Sequence, residues 1–267
     1  LYRNPWTSDP AELAQICAAQ LEREIQFQGP DTVAAFFAEP VQGAGGVIVP
    51  PEQYWPAVRE ICDRYDVLLV SDEVVTGFGR SGAMFGARGW GVKPDMMCLA
   101  KGLSSGYIPL GATVVNHRVA AAWDGEETPQ GAIMHGFTYG GHAVGCAAGL
   151  ACLEIVERED LPGQAARQGE RLLAALKPFE DRYRSVGEVR GKGLMIAIDL
   201  VADKKTREPI DPGQGLAYEL AEHTRRHGAI VRPVGTKIIL SPPLVITDGE
   251  VDRLAAALTL AFDAVDR

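Results

Sequence analysis

The sequence lacks most of what would tie a protein to a membrane, a nucleic acid or an oxidising compartment. Its apolar runs are short; Val67–Val70 and Leu150–Leu153 are strand- or helix-sized, far below the roughly 20 residues of a membrane span. It has no excess of basic residues. With 26 Lys and Arg against 35 Asp and Glu the net charge is −9, which argues against a nucleic-acid surface built on clustered cations. Cysteine is scarce. Cys17, Cys62, Cys98, Cys146 and Cys152 form no CxxC pair and no metal-like cluster, so they read as reduced, cytosolic thiols, most of them core residues. There is no internal repeat and no low-complexity tract, and His135 and His142 lack metal-ligand spacing, so no metal site is expected. Nor does the sequence begin with Met or a signal-peptide pattern.

What is present is a strand and helix rhythm in an ordinary globular composition, 46% hydrophobic and 23% charged. Residues 8–28 place Leu13, Ile16, Cys17, Leu21 and Ile25 at helical spacing behind a Ser8/Asp9 cap and Pro10. Apolar strands are expected at 33–38, 67–71, 95–99 and 111–115, with a helix over 51–65. Strands apolar on both faces indicate a parallel or mixed sheet covered by helices. After Gly145 the texture changes. Helices over 146–157 and 164–179 precede a strand at 194–200, a helix at 215–226, short strands at 230–232 and 237–240, and a last helix over 248–265. The expectation is an α/β protein: a larger domain over residues 1–160 and a smaller α+β domain over 161–267, divided near Asp160.

Three polar residues follow apolar strands: Glu39, Asp72 and Lys101. Ligands of open α/β sheets bind at the carboxyl ends of strands, so three such residues together point to one crevice. Any one alone is more often a solvated strand end. A lysine amine can form an imine with a cofactor aldehyde, and a carboxylate can keep a pyridine nitrogen protonated so that the ring accepts electrons. The Gly-rich stretch Gln42–Gly46 fits neither GxGxxG nor a Walker loop, and reads as backbone turning.

Four segments carry a resemblance. AEPVQGAGGVIVPPEQYW (38–55), LLVSDEVVTGFGRSGAMFG (68–86), KPDMMCLAKGLSSGYIPLGA (93–112) and HGFTYGGHAVGCAAGL (135–150) resemble, in order and spacing, successive motifs of the class III, fold-type I aminotransferases that use pyridoxal 5'-phosphate. The resemblance runs from about residue 30 to the C-terminus. It implies the fold-type I transferase fold, a mostly parallel sheet flanked by helices with a smaller C-terminal α+β domain. It makes Lys101 the Schiff-base lysine and Asp72 the partner of the pyridine nitrogen. Val74 would pack on the ring face. Thr138 resembles the threonine that reaches the cofactor phosphate of the neighbouring subunit, which implies a homodimer or higher homo-oligomer. Glu39 resembles a glutamate near the cofactor, or one that only holds its loop, and Arg80 stays open between structural and site roles.

Within the family, the ornithine and γ-aminobutyrate branches pair a Glu after the EPxQ-Gly/Ser motif with an Arg three residues before the PPL-like motif. Those positions here are Ala44 and Ile239, so both charges are absent together. Arg232, in IVRPVGTKIILSPPLVIT (230–247), instead resembles the mobile, carboxylate-binding arginine of ω-amino acid and amine:pyruvate aminotransferases, and Val75 fits the same branch. The resemblance therefore implies a cytoplasmic enzyme with ping-pong transfer of an amino group from an amine or ω-amino acid to a keto acid such as pyruvate. It involves neither nucleic acid nor membrane. Two alternatives remain: an aminomutase or racemase of the same fold, or an inactive remnant that binds partners. Members of the family also carry an N-terminal part, with a Gly-Ser phosphate cradle, that is expected to be missing here.

Overall fold

The computed structural model describes residues 2–123 and 135–266. In chain order, α1 (Pro10–Gln28) leads to β1 (Ala35–Ala38), α2 (Tyr54–Arg64), β2 (Leu68–Asp72), β3 (Met96–Leu99) and β4 (Ala112–Val115). Helices α3 (His117–Ala120), α4 (Ala143–Arg158), α5 (Leu161–Leu176) and α6 (Phe179–Arg182) follow. Then come β5 (Val186–Lys192), β6 (Met195–Asp203), β7 (Glu208–Pro209), α7 (Leu216–Arg226), β8 (Arg232–Val234), β9 (Lys237–Leu240) and α8 (Asp248–Val265).

The first sheet has the order β1-β2-β3-β4, with β1, β2 and β3 parallel and β4 antiparallel. Its central strand β2 reads Leu-Leu-Val-Ser-Asp, and Leu69, Val70 and Ser71 are buried. Helix α2 covers one face with Trp55, Val58, Ile61 and Cys62, and α1 packs on α2. Asp9 caps α1 by accepting from the Ala11 and Glu12 amides, satisfying two of its free N–H groups. The edge strand β4 is mostly exposed, as are the apolar Val144, Leu150 and Ile155 of α4. The cysteine expectation is corrected by the same geometry. Only Cys62 is buried, its thiol pushed up to about 11 chiefly by burial, whereas Cys146 lies exposed on α4.

The second sheet is antiparallel, with the order β5-β6-β9-β8, and β7 pairs with β6. Strand β5 was not anticipated. Its sequence, VGEVRGK, sets its two buried valines, Val186 and Val189, three residues apart among charges and glycines, so no clean period-2 signal survives. Strand β8 begins at Arg232, later than the run Ile230–Arg232 suggests. Pro233 is tolerated there because β8 is an edge strand.

Strand β6 joins the two halves through its period of two. Ile196, Ile198 and Leu200 enter a core with Leu172 and Leu176 of α5 and Leu258 and Phe262 of α8. Met195 and Ala197 point the other way, into the cluster of Trp55, Val58 and Leu69. Both faces of β6 are therefore buried, which explains its nearly unbroken apolar run. At the start of α5, Asp160 adopts a left-handed conformation (φ 45°) and its carboxylate accepts from the Gly163 amide.

Candidate active site

Because β1, β2 and β3 run parallel side by side, their carboxyl ends lie at one edge of the sheet. Asp72 is the last residue of β2 and pairs with Cys98 of β3; Lys101 follows three residues later. Glu39 follows the last residue of β1. The three strand-end residues of the sequence reading are thus gathered at one end of adjacent strands, where sheet geometry puts ligands.

Lys101 opens a short 3₁₀ turn, Lys101–Leu103, with φ 42° and its side chain exposed. A left-handed lysine costs on the order of 1 kcal/mol or more, and such strain gathers at functional positions. Gly102 follows because a Cβ there would lie 3.0 Å from the Cβ of Phe78, itself at φ 61°. Beside Lys101 lies a cavity of about 320 Å³ lined by Gly43, Ala44, Val47, Val75, Phe78, Arg80, Met195, Arg232, Ile239, Ser241 and Leu244 as well as Lys101. Val47, Phe78 and Lys101, three non-glycine residues at positive φ, all line it.

Four of the anticipated residues fall outside this lining. Asp72 is half-buried and its Oδ1 accepts from the Val74 amide at 3.0 Å. The strand ends at Asp72, so Val74 sits in a turn, and it is Val75 that borders the cavity. Glu39 accepts from the Gly43 amide at 2.9 Å, which ties it to the Gly-rich loop. Thr138 is exposed on the segment before α4. His142 caps α4 by accepting from the Gly145 amide at 3.2 Å. Arg232 is brought in by the second sheet, at the edge strand β8. Ala44 and Ile239, distant in sequence, border the same cavity, so the charge pair absent from both positions is absent from one place.

Arg80 does structural work at the cavity rim. Its guanidinium donates to the carbonyls of Leu194 and Pro242, bridging the turn after β2 to the second sheet. Burial pushes its pKa below the ordinary arginine value. Sequence reasoning missed Glu73. Its carboxylate is fully buried and accepts from Ser71 Oγ, Thr76 Oγ1 and the Gly86 and Ala87 amides at 2.5–3.1 Å. These four donors replace the water the charge has lost and fix the turn that carries Val75 and Phe78 to the cavity. The signal for it was a carboxylate directly after a buried strand, adjacent to the more conspicuous Asp72.

Among the described residues no group of three or more His, Cys, Asp or Glu could hold a metal ion, and no helix is long and apolar enough to cross a membrane. An accessible amine on a strained backbone and a carboxylate ending the neighbouring strand fit the aldehyde and ring nitrogen of pyridoxal phosphate. Lys101 lines the cavity at the strand ends of the α/β sheet, and Asp72 ends the neighbouring strand outside that lining.

The chain belongs to the class-III aminotransferase family, whose sequence profile (Aminotransferase class-III) matches residues 3–262. A putrescine–pyruvate aminotransferase of Pseudomonas aeruginosa is 43% identical over 97% of the chain and 55% of its own length. A diaminobutyrate–2-oxoglutarate transaminase of Halomonas elongata is 43% identical over 95% of the chain and 55% of its length. Among solved structures, a pyridoxal-phosphate-bound amine transaminase from an uncultivated Pseudomonas species superposes with a TM-score of 0.96 at 58% identity, over 99% of this chain and 60% of that one. An (S)-enantioselective ω-transaminase from Thermomicrobium roseum gives 0.92 at 43% identity, over 99% and 58%. The chain thus spans between half and two thirds of the length of these relatives.

Proposed function

We propose that the protein carrying this chain is a pyridoxal-phosphate-dependent ω-aminotransferase, moving an amino group from an amine or ω-amino acid to a keto acid such as pyruvate. One observation carries the reading: Lys101 and Arg232, an amine and a guanidinium from different sheets, line one cavity together with Arg80, Ser241 and apolar residues.

Bound at this site, pyridoxal phosphate supplies an electron sink for the carbanion formed at the substrate α-carbon. Lys101 would hold the cofactor through its amine, and the same amine would be placed to move a proton at that carbon. Asp72 would hold the proton of the ring nitrogen through its carboxylate. Val74 and Val75 would give the ring an apolar side, and Glu39 keeps the Gly43 amide and its loop in place. Arg232 pairs with the carboxylate of a keto or ω-amino acid, and the apolar wall of Ala44, Val47, Ile239 and Leu244 receives an uncharged substituent in its place. Relatives named transaminases favour this reading over an aminomutase or racemase.

Thr138, exposed together with Phe137 and Tyr139, and the open apolar face of α4 support a homodimer in which Thr138 serves the neighbouring subunit's phosphate site. Free cysteines throughout support a cytoplasmic setting. One core built wholly of residues after Asp160 supports domain limits of 1–160 and 161–267, although Met195 and Ala197 of β6 reach into the core of the first part. The test is a pair of half-reactions on the full-length protein. The cofactor's visible band should bleach with an amine and return with pyruvate. Turnover without any keto acid would instead indicate a mutase or racemase.

A further inference from the structure

The Gly-rich loop between β1 and α2 separates two cavities. Gly43, Ala44 and Val47 face the Lys101 cavity, while Gly45, Ile48, Val49 and Pro50 border a second cavity of about 670 Å³ behind it. Gly43, Ala44 and Gly45 are partly or wholly exposed, whereas Gly46 is buried beside Lys237 and Val47 enters the core cluster of Trp55 and Val58, so side-chain packing holds only the far limb of the loop. The loop closes on itself through the Gln42 and Ile48 backbone pair and through Gly43 O, which accepts from the Gly46 and Val47 amides at 3.1 and 3.2 Å. Its far limb is strained. Gly46 has φ 114°, and Val47, a β-branched residue, has φ 52°. The φ of Gly46 favours glycine whatever the space around it, and a Cβ there would also lie 2.4 Å from Lys237 Cδ and displace that flexible side chain.

One side chain from the other sheet grips this limb. Arg190 of β5 donates through Nη2 to Gly46 O at 2.7 Å and through Nε to Val47 O at 2.9 Å. Its Nη1 donates to Glu188 Oε2 at 2.6 Å and to Asp199 Oδ2 at 2.9 Å. Asp199 is buried and also accepts from Arg3 at 2.6 Å. The two carboxylates fix the guanidinium plane, and the plane fixes two consecutive carbonyls of the strained turn. The fork of donors makes this possible; a lysine ammonium has no such plane.

We infer that Arg190 is a positioning residue that sets the substrate-facing wall of the Lys101 cavity by clamping the Gly46 and Val47 carbonyls. The inference rests on the transaminase reading for the nature of what enters the cavity. Arg190 does not line that cavity and acts only through the loop. Lys101 and Asp72 lie on the first sheet and are not held by it, so cofactor attachment is independent of the clamp.

The experiment uses Arg190→Met and Arg190→Lys in the full-length protein, with 2-aminopropane and 1-phenylethylamine as donors and pyruvate as acceptor. A displaced loop raises KM for both amines about tenfold in Arg190→Met while kcat stays within about twofold and the cofactor's visible band is unchanged, since misplacement of a positioning wall is felt as lost binding. Arg190→Lys falls between. Hydrogen exchange gives a readout free of activity: the Gly46 and Val47 amides exchange about tenfold faster in both variants. Unchanged KM and unchanged exchange in a folded variant would overturn the inference, as would parallel loss of the band, kcat and thermal stability. If Arg190→Met does not fold, Arg190→Lys decides by the same criteria. If the wild type transfers no amino group, the functional reading fails by itself, and the exchange rates still judge the clamp.

Discussion

The two sheets of this molecule are built for different ends. The second is closed: β6 is buried on both faces, and Phe179, Tyr183 and Phe262 stack behind it at centroid distances of 4.9–5.3 Å. The first is open: β1 and β4 are partly or wholly exposed, and Val47, Phe78, Lys101 and Ser105 near its carboxyl edge hold positive φ. The larger buried cluster packs on the second sheet, while four of the non-glycine residues at positive φ and the polar strand-end residues gather at the edge of the first. The contrast shows how the site is assembled. The closed sheet brings the buried Met195, the partly buried Ile239, the exposed edge residue Arg232 and the Arg190 hydrogen bonds to the cavity and its loop, and the open sheet brings Lys101, with Asp72 at the end of the neighbouring strand.

That division can be broken from either side. The largest effect is expected at Lys101. Replacing it by Ala should lower turnover by about 10⁴-fold, the upper range for a lost proton-transfer group, with little change in melting temperature. A matching loss of stability would show that the lysine is structural. Ile198→Ala is the reverse case: deletion inside the closed core should cost about 3 kcal/mol in denaturant unfolding. Val114→Ala, on exposed β4, should cost under about 0.5 kcal/mol. Equal costs would erase the contrast. Arg232→Ala should weaken carboxylate substrates by about tenfold more than plain amines in steady-state KM, since a charge-assisted pair is worth about 1.5–3 kcal/mol. Equal losses would remove its role.

The smallest effect concerns acid. Burial pushes the Asp95 carboxyl up, but the Leu69 amide, the Arg59 guanidinium and the Asn116 amide outweigh it and hold the pKa below the usual 3.8. A carboxylate lowered in the folded state stabilises above its unfolded pKa, and that contribution is lost as pH falls through the ordinary carboxylate range toward the folded value. Stability of the wild type should therefore drop more steeply between about pH 5 and pH 3 than that of Asp95→Asn. Parallel pH curves would show that this anchor at the start of β3 contributes nothing.

The legible part of the fold followed packing. Buried strands and two-faced helices announce themselves in the sequence, β6 by its nearly unbroken apolar run and α5 by its helical period. The strand-end placement of Glu39, Asp72 and Lys101 was readable for the same reason: apolar runs end where polar residues begin. What the sequence hid depends on contacts between distant segments. Glu73 looks like a neighbour of Asp72 until its four donors converge on it. Arg190 lies in an irregular strand, and its partners are 143 and 144 residues away. Cys146 sits in an apolar stretch whose helix face is open, so composition suggested a burial that the fold does not supply.

The central claim is that Lys101 holds the cofactor at the edge of the open sheet. Borohydride reduction of the full-length protein with pyridoxal phosphate, followed by peptide mass mapping, tests it most directly. The pyridoxyl group should be found on the peptide containing Lys101 and vanish in Lys101→Ala. Label on another lysine, with Lys101 unmodified, would contradict the account.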